Sequence, residues 1–171
     1  MTTLRHATPT DVEAVASLLA EVDRYYGATE EEPLSQRAPL IQTALFATPP
    51  SAYALLAWDG DDLVGLAAYS FLWPASGVTR SLYLKELYVS EASRQYGLGR
   101  RLMAELCRIA DENRCERVEW TGGSGQPHRT ELVRDARRTT GTVQGLLPSR
   151  RRRRQADARF GQPARWKLLT S

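Results

Sequence analysis

Residues 94–99 form a glycine-containing turn whose residue types and spacing suit the binding of an anion. The turn reads Arg94-Gln95-Tyr96-Gly97-Leu98-Gly99. The first N–H groups of a helix have no acceptor within the helix, and the helix dipole makes that end partly positive. Gly97 and Gly99 let the backbone approach a ligand closely. We therefore predict that this turn, with Arg100 beside it, binds an anionic group such as a phosphate.

An apolar strand and an amphipathic helix are predicted on either side of the turn, and they would hold it in place. The strand is rich in large and β-branched side chains, among them Leu84, Leu87, Tyr88 and Val89. The helix carries apolar residues at helical spacing, namely Leu102, Met103, Leu106, Ile109 and Ala110. A Walker loop is excluded because no Gly-Lys-Ser/Thr follows the glycines. A dinucleotide-binding fingerprint would need a third glycine and a later strand that ends in an acidic residue. The other alternative is an ordinary strand–turn–helix that binds no ligand.

The stretch 83–103 resembles the acetyl-coenzyme A (acetyl-CoA) motif of the GNAT family of N-acetyltransferases. That motif is written Arg/Gln-x-x-Gly-x-Gly/Ala, and here Arg94, Gly97 and Gly99 fill it. The preceding sequence LYLKELYVSEASR is similar to the bulged fourth strand of the family, above all in its polyamine and diamine acetyltransferase branch. Lys85 departs from that branch, which has two acidic residues at the positions of Lys85 and Glu86.

The resemblance implies a fold, a cosubstrate and a set of binding residues. The expected fold is α/β (α+β), with a mixed, mostly antiparallel central sheet flanked by helices. The fourth and fifth strands would splay apart, and the pantetheine of acetyl-CoA would lie between them; no metal is expected. The cofactor-binding residues would be Leu87, Tyr88, Val89, Arg94, Gln95, Tyr96, Gly97, Leu98, Gly99 and Arg100.

Two acidic residues are candidates for the proton transfer that acetylation of an amine requires. The amine must be neutral to attack a thioester, so a base or a water path must take its proton. Glu86 is the first candidate and Glu119 the second, with a surface ion pair as the alternative reading of Glu86. A backbone N–H near Tyr88 or Val89 would polarise the thioester carbonyl.

The acceptor amine would enter beside the end of the first predicted helix. Tyr25 and Tyr26 are candidates for lining this opening, and Glu30 and Glu31 for attracting a cationic amine. The alternatives are that the two tyrosines serve in packing and that the two glutamates lie in a solvated loop. Polyamines, amino acids, aminoglycoside-like antibiotics and protein N-termini all stay open as acceptors.

Local patterns predict the remaining elements. Thr10 is expected to cap the first helix, with Glu13 completing a capping box. A second helix is predicted from Leu34 to Phe46, where Pro49 and Pro50 follow. Further strands are predicted over residues 4–7, 53–58, 63–71 and 117–120. The last of these should run parallel to the fourth strand through a right-handed crossover.

Residues 121–171 differ in composition from residues 1–120. The first part holds 11 basic and 17 acidic side chains, whereas the second holds 12 basic and 3 acidic. Apolar periodicity is poor in the second part, and residues 150–154 are all arginine, so the segment is not patterned for a core. We therefore divide the chain into an acetyltransferase-like core, 1–120, and an atypical arginine-rich segment, 121–171.

The resemblance implies a further helix and two closing strands in this second part. With permitted codons, residues 122–138 can be re-read in an adjacent frame as ADQANPTAQSLYETLGA, which is similar to that helix. We interpret residues 121–171 as frame-shifted or partly disordered, which makes a catalytically impaired acetyl-CoA-binding protein the alternative to an active enzyme. A nucleic-acid-binding tail is less favoured, because no aromatic residues interleave with the arginines.

Length and composition limit the remaining possibilities. The 171 residues suffice for one α/β domain with a sizeable core. No apolar run is long enough for a transmembrane helix, and the first residues lack the plan of a signal peptide. Cys107 and Cys115 have no metal-motif spacing and suit a reducing cytoplasm. We expect a cytoplasmic, homodimeric N-acetyltransferase that acts on a small-molecule or peptide amine.

Overall fold

The computed structural model describes residues 1–30, 32–94 and 96–120, which contain three α-helices and five β-strands. The helices are α1 (Val12–Tyr25), α2 (Leu34–Phe46) and α3 (Leu98–Glu112). The strands are β1 (Thr2–His6), β2 (Tyr53–Asp59), β3 (Asp62–Leu72), β4 (Arg80–Val89) and β5 (Cys115–Trp120). None of these three helices is both long enough and apolar enough to cross a bilayer. The predictions for residues 121–171, Gln95 and Glu31 fall outside the described residues.

The five strands form one sheet in the order β1-β2-β3-β4-β5. Neighbours from β1 to β4 run antiparallel, and β4 runs parallel to β5. Parallel strands need a long crossover, and α3 supplies it between β4 and β5. The predicted α/β architecture, with a mixed, mostly antiparallel sheet flanked by helices, is therefore confirmed.

Apolar side chains cover both faces of the sheet. On one face, Leu102 and Leu106 of α3 are completely buried against the strands. On the other face, α1 buries three residues against β2, β3 and β4, namely Val15, Leu18 and Val22. α2 is more peripheral, since none of its residues is fully buried. The end of β4 and the start of α3 are thus held between two packed layers.

β4 contains a bulge at Lys85. Ala68 of β3 pairs with Glu86, but the next β3 residue, Tyr69, pairs with Leu84, so Lys85 has no partner of its own in this ladder. An extra residue of this kind bends a strand and changes where the later side chains point. The bulge expected in the fourth strand from the family resemblance is therefore present, at the third residue of the stretch 83–103.

The bulge changes which face of the sheet the second half of β4 presents. Leu82 and Leu84 pack in the cluster beneath α3, whereas Tyr88 packs in the cluster beneath α1. With strict alternation all three side chains would lie on one face. The extra residue shifts the alternation by one, so Glu86 shares the α1 side with Tyr88. This places a carboxylate on the side of the sheet where α1 ends.

The structure at the start of α1 shows that the predicted capping box of Thr10 and Glu13 is wrong. A short 3₁₀ turn precedes α1, and Thr8 donates to the Asp11 carboxylate from its N–H (2.7 Å) and its hydroxyl (2.8 Å). Arg5 of β1 binds the same carboxylate through both terminal nitrogens, at 2.6 and 2.7 Å. The acidic residue that closes the turn is therefore Asp11, and it also ties α1 to β1.

We expect this carboxylate to make the stability of the protein depend on pH. The Arg5 guanidinium and the hydrogen bonds from Thr8 hold the pKa of Asp11 well below its usual range. A folded-state pKa below the unfolded one stabilises the protein fully above about pH 4, and this stabilisation shrinks as the pH falls further. Asp11→Asn should lower the free energy of unfolding by about 1–2 kcal/mol at pH 7, less than a fully buried pair because solvent screens Arg5.

Urea unfolding of the wild type and of Asp11→Asn at pH 7 and pH 3 measures this effect. The difference between the two proteins should be smaller at pH 3. Asp61→Asn is the matched control, because Asp61 lies exposed in the turn between β2 and β3. An equal difference at both pH values would contradict the assignment of the effect to the Asp11 carboxylate.

Candidate functional site

The predicted anion-binding turn lies at the N-terminus of α3. Gly97 is the residue that caps the helix, and its φ of 73° is left-handed, a conformation that favours glycine. An added Cβ at Gly97 would meet no heavy atom of the described residues within 4 Å. The first hydrogen bond of the helix joins Arg101 N–H to Gly97 O at 3.1 Å. The amides of Leu98 and Gly99 precede this bond, at the positive end of the helix dipole.

The backbone at the end of β4 presents alternate amides toward the β5 side. Ser90 N–H donates to Val64 O of β3 at 3.0 Å. This bond determines which N–H groups at the end of β4 face β3. Because antiparallel ladders alternate, Tyr88 N–H points to β3, whereas the N–H groups of Leu87 and Val89 point the other way. The described pairing with β5 ends before these residues, at Leu84 and Trp120. Val89 N–H can therefore serve as a donor to a group lying beside β4, whereas Leu87 N–H already donates to Glu86 Oε1 at 3.1 Å.

Arg94 joins the turn to the end of α1. Its Nε donates to Val89 O at 3.0 Å. Its guanidinium carbon lies 4.9 Å from the centre of the Tyr25 ring and 5.5 Å from that of Tyr88. A guanidinium at such distances from aromatic faces is attracted by the ring quadrupoles. The first residue of the predicted motif is therefore fixed between β4 and α1, and not directed away from the protein.

Tyr88 is buried on the α1 side, and its hydroxyl donates to Glu21 of α1 at 2.9 Å. Burial, and then the hydrogen bond to Glu21, raises the pKa of this hydroxyl above its usual range. Tyr88 therefore stays protonated at neutral pH. Glu21 was not among the predicted site residues, although its spacing of four residues from Tyr25 puts the two on one helix face.

Glu86 lies within reach of one of the tyrosines at the end of α1. Tyr26 Oη–H donates to its carboxylate, at 3.3 Å from Oε1 and 3.5 Å from Oε2. The N–H of Leu87 also donates to Glu86 Oε1, at 3.1 Å. The structure thus brings together two residues that the sequence placed 60 positions apart. It also puts this carboxylate next to one of the amides that point toward the β5 side.

The other candidate base, Glu119, has a different environment. It lies on β5, where it pairs with Tyr83 of β4. Its carboxylate is bound by the guanidinium of Arg117. This contact occupies one oxygen of the Glu119 carboxylate. The two predicted bases therefore differ in their contacts, since Glu86 accepts from Tyr26 and from Leu87 N–H whereas Glu119 accepts from Arg117.

The remaining predicted site residues differ widely in exposure. Leu98 is buried in the cluster beneath α3, so only its backbone can face a ligand. Tyr96 is 83% exposed, and Glu30 is exposed in the loop after α1. Arg100 lies in the exposed first turn of α3. Arg101, the next residue of α3, donates to Thr2 O at 2.8 Å and so lies toward β1.

The described side chains do not suggest a metal site. In the three described ranges, no group of three or more His, Cys, Asp and Glu residues is placed to hold an ion. Cys107 and Cys115 are both buried. What this part of the chain does provide is a positive helix end, two outward-pointing amides on β4 and a carboxylate beside them. This arrangement can bind an anion and accept a proton a short distance away.

The chain is similar to known proteins in sequence and in fold. Residues 15–134 match the sequence profile of the acetyltransferase (GNAT) family. The matched stretch includes α1 from Val15 onward, the whole of β2 to β5 and the turn at the start of α3. It covers more than two thirds of the chain.

Three solved structures that share the fold are 24%, 18% and 12% identical to this chain. An integron cassette protein from the mobile metagenome of V. cholerae has a TM-score of 0.70 and 24% identity over 78% of this chain and 83% of that one. The ribosomal-protein-alanine N-acetyltransferase of Brucella melitensis has a TM-score of 0.66 and 18% identity over 79% and 89%. An aminoglycoside acetyltransferase from an uncultured soil metagenomic sample has a TM-score of 0.64 and 12% identity over 99% and 97%.

Proposed function

Because the chain belongs to the GNAT acetyltransferase family, we propose that it transfers the acetyl group of acetyl-CoA to a primary amine of a small molecule or peptide. The observation that carries this proposal is the left-handed Gly97 at the N-terminus of α3, beside open space. Helix ends of this kind bind phosphate groups through their free amides. The diphosphate of acetyl-CoA is the anion that the family requires.

The cofactor side of the proposed site is built mainly from backbone groups. The amides of Leu98 and Gly99 would hold the diphosphate, and the residues on either side in the turn, 94–97 and Arg100, would contact the cofactor as well. The amide of Val89 would hydrogen-bond the arm that carries the acetyl group, and that of Leu87 would do so in place of its present hydrogen bond to Glu86 Oε1. One of these two amides would also donate to the thioester oxygen as charge builds up on it. When bound, acetyl-CoA supplies the activated carbonyl carbon that the amine attacks.

The acceptor side of the proposed site is the region where α1 ends next to β4. We assign Glu86 the role of accepting the proton that the amine must lose, because its carboxylate is adjacent to the Leu87 amide. Tyr26 holds that carboxylate in place by its hydrogen bond. Glu119 is the second choice, because its carboxylate is bound by Arg117. Glu30 and Glu31 would act by attracting a cationic amine.

The acceptor is proposed no more narrowly than a primary amine. The two named enzymes among the similar structures are described by different acceptors, a ribosomal-protein alanine and an aminoglycoside. Lys85 gives no support for the polyamine branch, because a cation beside Glu86 reduces the negative charge that would attract a polyamine. We also propose that the protein forms a homodimer and is located in the cytoplasm, as expected from the sequence.

The test of the proposed function combines calorimetry with a thiol-release assay on the full-length chain. Acetyl-CoA should bind, and free thiol should appear when one of a panel of amines is added. The panel should contain a diamine, an aminoglycoside, free amino acids and a peptide with a free N-terminus. Absence of acetyl-CoA binding would contradict the family assignment of the site. Binding without thiol release for any amine would instead identify a protein that holds acetyl-CoA without turnover.

A further inference from the structure

Tyr25 and Tyr26 are adjacent in sequence, similarly exposed at 52% and 55%, and in ring contact with each other, yet their other contacts differ. Tyr25 lies beneath the guanidinium of Arg94 and meets the edge of the Tyr88 ring, at 5.8 Å between centroids. Tyr26 directs its hydroxyl to the carboxylate of Glu86. One tyrosine thus contacts the motif residue of the anion-binding turn, and the other contacts the candidate base.

We propose that the two tyrosines serve different substrates: Tyr25 is a positioning residue for the cofactor, and Tyr26 serves the acceptor. This inference rests on the proposed function, since it assigns the tyrosines to the two substrates of that reaction. It departs from the sequence prediction, in which both tyrosines line the acceptor opening. The departure follows from Arg94, which already supplies a cation to the face of Tyr25.

Tyr25 acts on the cofactor through Arg94. The guanidinium lies over the rings of Tyr25 and Tyr88 while its Nε holds Val89 O. These contacts fix the first residue of the turn against the end of β4 before any ligand arrives. A loop that is already ordered loses less conformational freedom when it binds, so its affinity is higher. The fixed guanidinium also keeps a positive charge near the site of the diphosphate.

Glu21 supports the same arrangement from one turn earlier in α1. It accepts the hydrogen bond of the Tyr88 hydroxyl and so holds the second ring beneath Arg94. Three residues, Glu21, Tyr25 and Tyr88, therefore connect α1 to the anion-binding turn. Tyr25 is the best of them to test, because its exposure lets a substitution be made without opening the core.

The experiment measures the dissociation constant of acetyl-CoA by calorimetry for variants of the full-length protein. Tyr25→Leu should weaken binding by about threefold to tenfold, the range expected for loss of a partly exposed cation–aromatic contact. Tyr25→Phe keeps the ring and should bind as the wild type does. Tyr26→Phe is the matched neighbour, and it should leave the dissociation constant within about twofold while raising the KM for the amine.

A double substitution tests whether Tyr25 acts through Arg94. If it does, Tyr25→Leu combined with Arg94→Lys should bind acetyl-CoA no more weakly than the worse of the two single variants. Additive losses would overturn the proposed route. Unchanged cofactor affinity in Tyr25→Leu, or a change confined to the KM for the amine, would overturn the inference and leave the proposed function intact. A wild type that does not bind acetyl-CoA would overturn both.

Discussion

Gly97→Asp is expected to abolish most of the affinity for acetyl-CoA. Gly97 has a φ of 73°, so a side chain there costs about 1–2 kcal/mol of backbone strain. An aspartate at a helix N-cap also accepts hydrogen bonds from the first amides of the helix. It would therefore occupy the donors that the diphosphate needs and would repel its charge. Together these effects should weaken binding by about 100-fold or more, which corresponds to roughly 3 kcal/mol.

Two control variants separate the causes of this loss. Gly97→Ala introduces the strain without the carboxylate and should bind more tightly than Gly97→Asp. Gly60→Asp introduces a carboxylate at another left-handed glycine in open space, where φ is 63°, but at the turn between β2 and β3. It should leave the affinity unchanged. Wild-type affinity in Gly97→Asp would show that the diphosphate is bound elsewhere.

Glu86→Gln is expected to reduce kcat for the best amine by about 100-fold to 10,000-fold, the usual contribution of a positioned base. The amide of glutamine keeps an oxygen for the hydrogen bonds from Tyr26 and Leu87, so the local structure should persist. It cannot accept the proton of the amine at neutral pH. Cofactor affinity should not change, because the diphosphate is held by the helix end and not by this side chain.

Glu119→Gln is the matched comparison, since it removes the other candidate base. It should reduce kcat much less, because the Glu119 carboxylate is bound by Arg117. Thiol release under saturating acetyl-CoA, measured across a range of pH, gives kcat for each variant. A large loss in Glu119→Gln with little change in Glu86→Gln would reverse the assignment of the base.

Local sequence patterns were sufficient to predict the features that depend on a single helix, strand or turn. Helix α2 begins at Leu34 and ends at Phe46 as predicted, because Pro33 immediately precedes it and Pro49 follows shortly after it. The turn at Gly97 and the apolar face of α3 were also predicted from local patterns. The parallel pairing of β4 with β5 follows from a crossover helix between two strands.

Contacts between distant elements could not be predicted in the same way. The sequence shows alternation along β4, but the bulge at Lys85, expected only by resemblance, decides that Glu86 shares a face with Tyr88. The partnership of Arg5 with Asp11 spans two elements, so the local pattern of Thr10 suggested the wrong cap. β1 also begins at Thr2, two residues earlier than predicted, because pairing with β2 extends it. Glu21 carried no signal of its own, since a glutamate on a helix is usually solvated.

The binding of a diphosphate by the start of α3 is tested most directly by amide chemical shifts in ¹⁵N-labelled protein during a titration with acetyl-CoA. We predict the largest shift changes at Gly97 and Gly99, with changes at Val89 and with Gly60 unaffected. These changes should saturate at the same concentration as the calorimetric signal. Saturable binding that leaves Gly97 and Gly99 unshifted would contradict the account.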